Sequence, residues 1–213
     1  MEVMRSAVIL AGGAGRRLGE EKSLVEFKGR PLIEWVMMKL GRIVEEIVIV
    51  ARSPEQARLL EDLFPGIAVT FDRITGYGPV AGLAAGMERA DAEYALAVGC
   101  DLPFLNVNVI NKLFEQASGY EAAIPVSNSG RMEPLHAVYR REPMLLACLR
   151  SMENGERRIR SPLSMLKLNC ISMELLRPLD PGLLTFFNLN TQEDLEIARV
   201  IWSKSEGCDQ EYL

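Results

Sequence analysis

The chain has 213 residues, 48% of them hydrophobic and 25% charged, a composition that suits one globular domain with a substantial core and excludes wholesale disorder. Its formal net charge of −5 argues against a protein that coats nucleic acid or an anionic membrane, so a bound anion would need a local basic patch. His136 is the only histidine, which argues against a Ser-His-Asp triad and against a histidine-rich metal site.

The first part of the chain alternates short aliphatic segments with helical patterns. The predicted strands, apolar on both faces as in a central parallel sheet, are residues 6–11, 46–51, 67–71, 94–99 and 121–126. The predicted helices between them are residues 31–40, 54–63, 80–88 and 107–117. This alternation predicts an α/β fold, a Rossmann-like three-layer sandwich with a mostly parallel central sheet, whose ligands bind beyond the carboxyl ends of the strands.

The alternation stops after residue 126. The segment SNSGR at 127–131 predicts the turn of a hairpin that adds a non-parallel strand. A helix is predicted at 143–152, whereas residues 155–185 give no clear pattern.

The end of the chain predicts a closing amphipathic helix over residues 191–202. Thr191 would cap this helix, with Asp194 three residues later in a variant capping box. No repeat or linker divides the sequence, so we expect a single domain over residues 1–202 and a polar tail over residues 203–213.

The cysteines and the first residues indicate the compartment. Cys100, Cys148, Cys170 and Cys208 are widely spaced and form no C-x-x-C pair, so reduced thiols are expected rather than disulfides or a zinc site. The apolar run after Met1 is too short to span a membrane and lacks the features of a signal peptide. We therefore expect a cytoplasmic protein that binds neither nucleic acid nor a membrane.

The loop after the first strand, in the segment ILAGGAGRRLGEEKS at 9–23, is rich in glycine and basic residues. It is not a P-loop, because Glu21 precedes Lys22, and not a dinucleotide fingerprint, because Leu18 stands where the third glycine belongs. Glycines let backbone N–H groups approach phosphate oxygens, and Arg17 and Lys22 supply positive charge. The loop indicates a phosphate site, with a surface turn of solvated charges as the alternative.

Two more features lie at predicted strand ends. Asp101 follows the fourth strand, where a carboxylate can hold a hard divalent cation through oxygen, although an Asx turn or helix cap would also place an aspartate there. In the segment 71–86, Gly82 and Gly86 give a helix a face almost without side chains. Such a face favours close packing against the sheet, with close approach of a ligand as the alternative.

Five segments carry the motifs of one protein family, in its order. LAGGAGRRLGEEK is similar to L-A-G-G-x-x-x-R-M-G-x-x-K, GPVAGLAAG to G-P-L-A-G, and CDLPFL to C-D-x-P. EPLHAVYRR is similar to P-L-x-A-x-Y, and FFNLNTQEDL to N-x-N-T-P-E-D-L. Together they resemble the molybdenum cofactor guanylyltransferases from residue 9 to about residue 195. Leu18 and Gln192 are mild departures, and IVARS replaces a segment in which the family often has a base-contacting asparagine.

The resemblance implies a nucleotide-diphospho-sugar transferase-like fold and an enzyme that transfers GMP from GTP to Mo-molybdopterin, releasing pyrophosphate. It also implies transient contact with proteins that supply molybdopterin or load molybdoenzymes. A molybdopterin cytidylyltransferase or another sibling nucleotidyltransferase is the nearest alternative, and Gly12, Pro79 and Gly82 favour the guanylyl branch. A non-catalytic nucleotide-binding subunit on the same fold is the alternative of another class.

The resemblance also assigns roles to individual residues. Lys22, Arg17 and Asp101 would be catalytic, with Asp101 holding Mg²⁺, and Asn188 and Asn190 would border the pterin. No general base is expected, because the attacking phosphate of the pterin is already ionised at neutral pH. The implied nucleotide-binding residues are Leu10, Ala11, Gly12, Gly13, Lys22, Asp72, Gly78 and Asp101.

A basic run in the second half of the chain has two interpretations. Arg157, Arg158 and Arg160 would either contact the pterin phosphate or form a solvated face, and the sequence favours the solvated face.

Overall fold

The computed structural model describes residues 4–12, 21–74 and 76–205. Its strands are β1 (Arg5–Leu10), β2 (Glu26–Phe27), β3 (Arg30–Pro31), β4 (Glu46–Ala51), β5 (Ala68–Phe71), β6 (Tyr94–Gly99), β7 (Ala122–Val126), β8 (His136–Arg140) and β9 (Leu168–Ser172). Its α-helices are α1 (Leu32–Leu40), α2 (Pro54–Leu63), α3 (Pro79–Arg89), α4 (Val107–Ala117), α5 (Arg141–Glu153), α6 (Arg160–Leu163) and α7 (Gln192–Ser205).

Within the described residues, seven strands form the central sheet in the order β5-β4-β1-β6-β8-β7-β9. Strand β8 is antiparallel to both of its neighbours, and all other pairs in this sheet are parallel. The mostly parallel α/β fold predicted from the sequence is therefore confirmed. Strands β4 and β6 and helices α2 and α4 have the predicted bounds, and the other predicted elements of the first part differ by one residue at one or both ends.

Buried clusters on both faces of the sheet make the three layers. Alternate residues of the central strands point to opposite faces: Ile9 packs with helices α1, α2 and α4, whereas Val8 packs with α3 and α5. Because both faces are covered, the strands are apolar throughout, which is why they stand out in the sequence.

Helix α3 packs unusually close to the sheet. A Cβ atom on Gly86 would overlap Val8 Cγ1 and come within 3.0 Å of Val50 Cγ2, and one on Gly82 would lie 3.2 Å from Leu10 Cδ2. The prediction that these glycines serve close packing is confirmed. This packing brings the first turn of α3 to the edge where β1 and β4 end.

The second half of the chain adds two strands to the sheet. The predicted turn at 127–131 is closed by a hydrogen bond from Ser127 N to Arg131 O (2.9 Å), and β8 follows in the predicted non-parallel direction. Strand β9 and helix α6 lie in the segment 155–185 that gave no pattern.

Helix α7 closes the fold with the predicted cap. Asp194 N donates to Thr191 Oγ1 (3.1 Å), and Thr191 N donates to Asp194 Oδ2 (2.8 Å). The helix continues to Ser205, three residues beyond its predicted end, and residues 206–213 of the predicted tail lie outside the described residues. Among the helices that the structure describes, none is long and apolar enough to cross a membrane.

An aromatic cluster attaches α7 to β2 and α1. The ring of Trp202 lies 5.4 Å from that of Phe27 and 4.8 Å from that of Trp35, centroid to centroid. Leu189, just before the helix, is fully buried in the same cluster. The cluster therefore holds the segment 186–190 against the carboxyl edge of the sheet.

Candidate active site

The carboxyl ends of β1, β4, β5 and β6 and the first turn of α3 enclose a cleft of about 330 Å³. This is the place where an open α/β sheet binds its ligands. Arg52, Cys100 and Leu135 lie in its lining although the sequence analysis did not single them out. The predicted nucleotide-binding residues that line it are Leu10, Gly12, Lys22, Asp72, Gly78 and Asp101.

The lining does not include three other predicted residues, of which the structure describes one. Ala11 is fully buried beneath the cleft, and its N–H donates to Val50 O (2.9 Å), so it supports the floor through its backbone. Gly13 and Arg17 lie outside the described residues.

Lys22 is a cation in the lining of the cleft. Its ammonium group forms an ion pair with Asp101 Oδ2 and donates a second hydrogen bond to Asn190 Oδ1 (2.7 Å). The side chains of Lys22 and Asp101 are only 12% and 11% exposed. Lys22 is therefore not a solvated surface charge, which was the alternative interpretation of its loop, because its partners enclose it.

The two predicted pterin-side asparagines have different positions. Asn190 reaches the cleft through its hydrogen bond with Lys22. The side chain of Asn188 instead donates to Phe186 O within its own turn (3.3 Å). The two residues are therefore not equivalent, and Asn190 is the one that the structure joins to Lys22 and Asp101.

The end of β6 is shaped to hold the Asp101 carboxylate. A Cβ atom on Gly99 would lie 2.5 Å from Asp101 Oδ1, so glycine leaves the space that the carboxylate occupies. Asp101 O accepts a hydrogen bond from Leu189 N (3.0 Å), which attaches the last motif of the chain to this strand end. Asp101 thus joins two motifs through its backbone as well as its side chain.

A buried glutamine, which the sequence analysis missed, connects the ends of β1 and β4. Gln56 is 4% exposed, and its Nε2 donates to Ala11 O (3.1 Å) and to Glu21 Oε1 (2.7 Å). Its Oε1 accepts from Arg52 N (2.7 Å). The available signal was the pattern Ser53-x-x-Gln56 at the start of α2, where Ser53 Oγ accepts from Gln56 N (3.3 Å) but Gln56 Oε1 accepts from Arg52 N rather than from Ser53 N as in a full capping box.

The opposite wall is formed by Asp72 and the start of α3. Burial raises the pKa of Asp72 above its ordinary value, while the hydrogen bond from Ile74 N (2.7 Å) opposes that shift. Gly78 has φ +53° and ψ −130°, a conformation that favours glycine. Helix α3 starts beside it without a side-chain cap, so its first N–H groups and its dipole favour a negative charge nearby.

The family of the chain follows from comparison with known proteins. A family model described as a MobA-like NTP transferase domain matches residues 7–168. The chain belongs to this family. It is 40% identical over 200 residues to a probable molybdenum cofactor guanylyltransferase of Methanosarcina acetivorans, covering 90% of this chain and 88% of that protein.

Solved structures agree with the MobA-like assignment. The crystal structure of molybdopterin-guanine dinucleotide biosynthesis protein A from Archaeoglobus fulgidus matches with a TM-score of 0.83 and 33% identity, covering 93% of this chain and 99% of that chain. A 4-diphosphocytidyl-2C-methyl-D-erythritol synthase from Anaerococcus prevotii matches with a TM-score of 0.70 at 16% identity, covering 94% and 96% of the two chains. At that identity the second match shows the shared fold alone.

Two groups in and near the cleft of this MobA-like domain are uncharged near neutral pH. Burial, and secondarily the negative charge of Asp101, raises the pKa of the Cys100 thiol to about 12, so the thiol stays protonated. Burial lowers the pKa of His136 to about 3, so its ring stays neutral, and it contacts Thr185 Oγ1 at 3.2 Å. Neither group therefore carries a charge in the cleft at neutral pH.

The donor atoms around Asp101 suit one kind of metal ion. The described residues contain no group of three or more histidine, cysteine, aspartate and glutamate side chains placed to hold a metal. One carboxylate beside the amide oxygen of Asn190 fits Mg²⁺, which commonly binds through one or two carboxylates and takes its remaining ligands from water and substrate phosphates. The residues present therefore fit the ion that the sequence analysis expects.

Proposed function

We propose that this MobA-like protein transfers GMP from GTP to molybdopterin, forming molybdopterin guanine dinucleotide and pyrophosphate. The observation that carries the proposal is the contact of Lys22 with both Asp101 and Asn190 on one cleft. These residues come from three motifs far apart in the chain, and phosphoryl transfer needs a cation, a carboxylate and further polar groups around the reacting phosphates. The names of the relatives support guanine as the base and molybdopterin as the acceptor.

The proposed reaction is an in-line displacement at the α-phosphorus. An oxygen of the acceptor's terminal phosphate forms the new P–O bond, while the bond from the α-phosphorus to the bridging oxygen breaks and pyrophosphate leaves with that oxygen. The attacking phosphate is already ionised at neutral pH, so the reaction requires no side chain as a base. This fits a cleft whose Cys100 thiol is protonated and whose nearest histidine is buried and neutral.

In this proposal Lys22 leaves Asp101 to bind the triphosphate. Its ammonium group would neutralise charge that develops on the leaving group, in a cleft where most of its surface is shielded from water. Asp101, with Asn190 beside it, would then hold Mg²⁺, which when bound would neutralise phosphate charge and align the α-phosphate. We assign Arg17 to the same triphosphate, on the strength of its motif.

The nucleoside is proposed to lie between the end of β1 and the wall formed by Asp72 and Gly78. Gly12 supports this placement, because a Cβ atom there would lie 3.3 Å from Arg52 Cβ, so the two strand ends nearly touch at the floor of the cleft. The backbone of Leu10 and Gly12 would face the base, and Asp72 would face the sugar.

The pterin is proposed to lie on the side of the cleft formed by Asn190. We further propose transient contacts with proteins that supply molybdopterin or load molybdoenzymes, and a cytoplasmic location. The thiols of Cys100, Cys148 and Cys170 are free, which supports a reducing compartment.

An assay of single nucleotides tests the proposed function. The purified protein is incubated with molybdopterin, Mg²⁺ and either GTP or CTP, and pyrophosphate and the dinucleotide mass are measured together. We expect equal amounts of pyrophosphate and guanine dinucleotide with GTP. Formation of the cytosine dinucleotide alone would identify a cytidylyltransferase. Tight GTP binding without product would identify a non-catalytic subunit.

A further inference from the structure

A charged pair lies on the wall of the cleft beside Gly12. A terminal guanidinium nitrogen of Arg52 donates to Glu21 Oε2 at 2.8 Å. Arg52 is 46% exposed and lines the cleft, whereas Glu21 is 20% exposed. An exposed ion pair of this kind contributes little to stability, so stability alone does not account for it.

Buried hydrogen bonds fix this pair to the strand ends. Gln56 Nε2 donates to Glu21 Oε1, and Gln56 Oε1 accepts from Arg52 N, each at 2.7 Å. The same Nε2 donates to Ala11 O at 3.1 Å. One buried amide therefore sets the position of Arg52 and Glu21 relative to the backbone where the base is proposed to lie.

The pair presents donors next to acceptors. The guanidinium group has five N–H donors, and its bond to Glu21 uses one of them. The Glu21 carboxylate has about four acceptor positions, of which Gln56 and Arg52 use two. Within the part of the chain that the structure describes, donors and acceptors therefore remain available side by side for a ligand.

Guanine has the complementary edge. Its O6 and N7 accept hydrogen bonds. Its N1–H, which is next to O6, and its 2-amino group, which is next to N1–H, donate them. Cytosine and adenine instead carry an amino group where guanine has O6, and that group would meet the guanidinium donors without forming a bond.

We propose that Arg52 and Glu21 select guanine in this cleft, with Arg52 donating to O6 and N7 and Glu21 accepting from N1–H and the 2-amino group. Gln56 is then the positioning residue of the pair. The inference rests on the proposed function, because it names the groups that distinguish GTP from CTP in the same site.

Equilibrium binding of GTP, inosine triphosphate and CTP to the wild-type protein is the first test. Inosine triphosphate keeps O6 and N1–H but lacks the 2-amino group. We expect GTP to bind most tightly, inosine triphosphate more weakly and CTP most weakly, with about tenfold or more between GTP and CTP. Equal affinities for the three nucleotides would overturn the inference without any variant.

The second test compares Arg52→Met with a matched control, Arg58→Met, on the exposed side of α2. Arg52→Met is expected to narrow the difference in affinity between GTP and CTP, mainly by lowering GTP affinity, while Arg58→Met changes neither affinity. Unchanged discrimination in Arg52→Met would overturn the inference. If the wild-type protein discriminates among nucleotides but forms no dinucleotide with molybdopterin, the proposed function fails while the assignment of Arg52 stands.

Discussion

Lys22 and Asp101 form an ion pair at the carboxyl edge of the sheet although they are 79 residues apart in the sequence. One follows β1 and the other follows β6, which are neighbours in the sheet, so the fold itself brings the two charges together. Both side chains are largely shielded from water, and removing either one leaves a charge in a place with little solvent. The pair therefore couples function to local stability.

Asp101→Asn should leave the fold intact and abolish most activity. The substitution keeps the shape of the side chain but removes the negative charge proposed to hold Mg²⁺, so turnover should fall by roughly two orders of magnitude or more. Initial rates of pyrophosphate release over a Mg²⁺ titration, with circular dichroism of the same samples, check this. Asp91→Asn, at an exposed site before β6, is the control. Near-normal turnover, or loss of the fold, would contradict the role of Asp101.

Lys22→Ala should reduce both catalysis and stability. Loss of a charge-assisted contact in a shielded cleft should cost about 2–4 kcal/mol of transition-state stabilisation, measured as kcat/KM for GTP. The partly buried Asp101 carboxylate would lose its partner, which should lower the free energy of unfolding by about 1–3 kcal/mol. Urea denaturation measures the second effect.

A double variant separates the two effects of Lys22. Lys22→Ala with Asp101→Asn removes both charges, so it should recover much of the stability that Lys22→Ala alone loses while remaining inactive. If the stability losses of the single substitutions simply add in the double variant, the two side chains are not coupled and the ion pair is not formed in solution.

Two glycines of α3 should respond differently to alanine. Gly86→Ala forces a methyl group into Val8 and Val50 of the sheet, so it should lower the free energy of unfolding by about 1–3 kcal/mol. In Gly82→Ala the added methyl group comes too close to the end of the Leu10 side chain, which can move, and makes an ordinary contact with Val50, so the gain in helix propensity should offset most of the cost. Denaturation curves of both variants test this, and an equal loss would show that α3 packs differently from the described structure.

His136 should make the protein less stable in acid. Its pKa is lowered to about 3 in the folded state from 6.5, so below pH 6.5 the unfolded chain binds a proton that the folded chain does not. The contribution of neutral His136 to the free energy of unfolding is therefore complete above pH 6.5. It is lost as the pH falls towards 3, by about 1.4 kcal/mol per pH unit.

Urea denaturation of the wild-type protein and of His136→Gln at pH 7, 6, 5 and 4 measures that contribution. The comparison uses the slope of the free energy of unfolding against pH, so a loss of stability that is the same at every pH does not affect it. The variant should show a shallower decline than the wild type by the amount expected for one histidine. Parallel slopes would mean that His136 is protonated in the folded state or reaches solvent.

The sequence predicted most of the architecture because the signals were local. Strands buried on both faces are continuous apolar runs. The ring of Pro54 and the side-chain cap of Thr191 each mark the start of a helix. Strand β9 was missed because its segment LNCIS mixes polar and apolar residues at the sheet edge, where burial is only partial. No local pattern distinguishes such an edge strand from a loop.

The site was predicted in part for the same physical reason. Asp101 and Asp72 follow strands directly, and that position alone places them at the ligand-binding edge. The ion pair of Lys22 depends on which strands are neighbours, which the sequence did not provide. The hydrogen bonds of Gln56 join three separate segments, so they could be found only in the structure.

A competition between nucleotides tests the central claim most directly. The protein is incubated with molybdopterin, Mg²⁺ and equal concentrations of GTP and CTP, and the dinucleotide products are separated and identified by mass. The account predicts molybdopterin guanine dinucleotide as the dominant product, with one pyrophosphate released for each. Dominance of the cytosine dinucleotide, or hydrolysis of GTP without transfer, would contradict it.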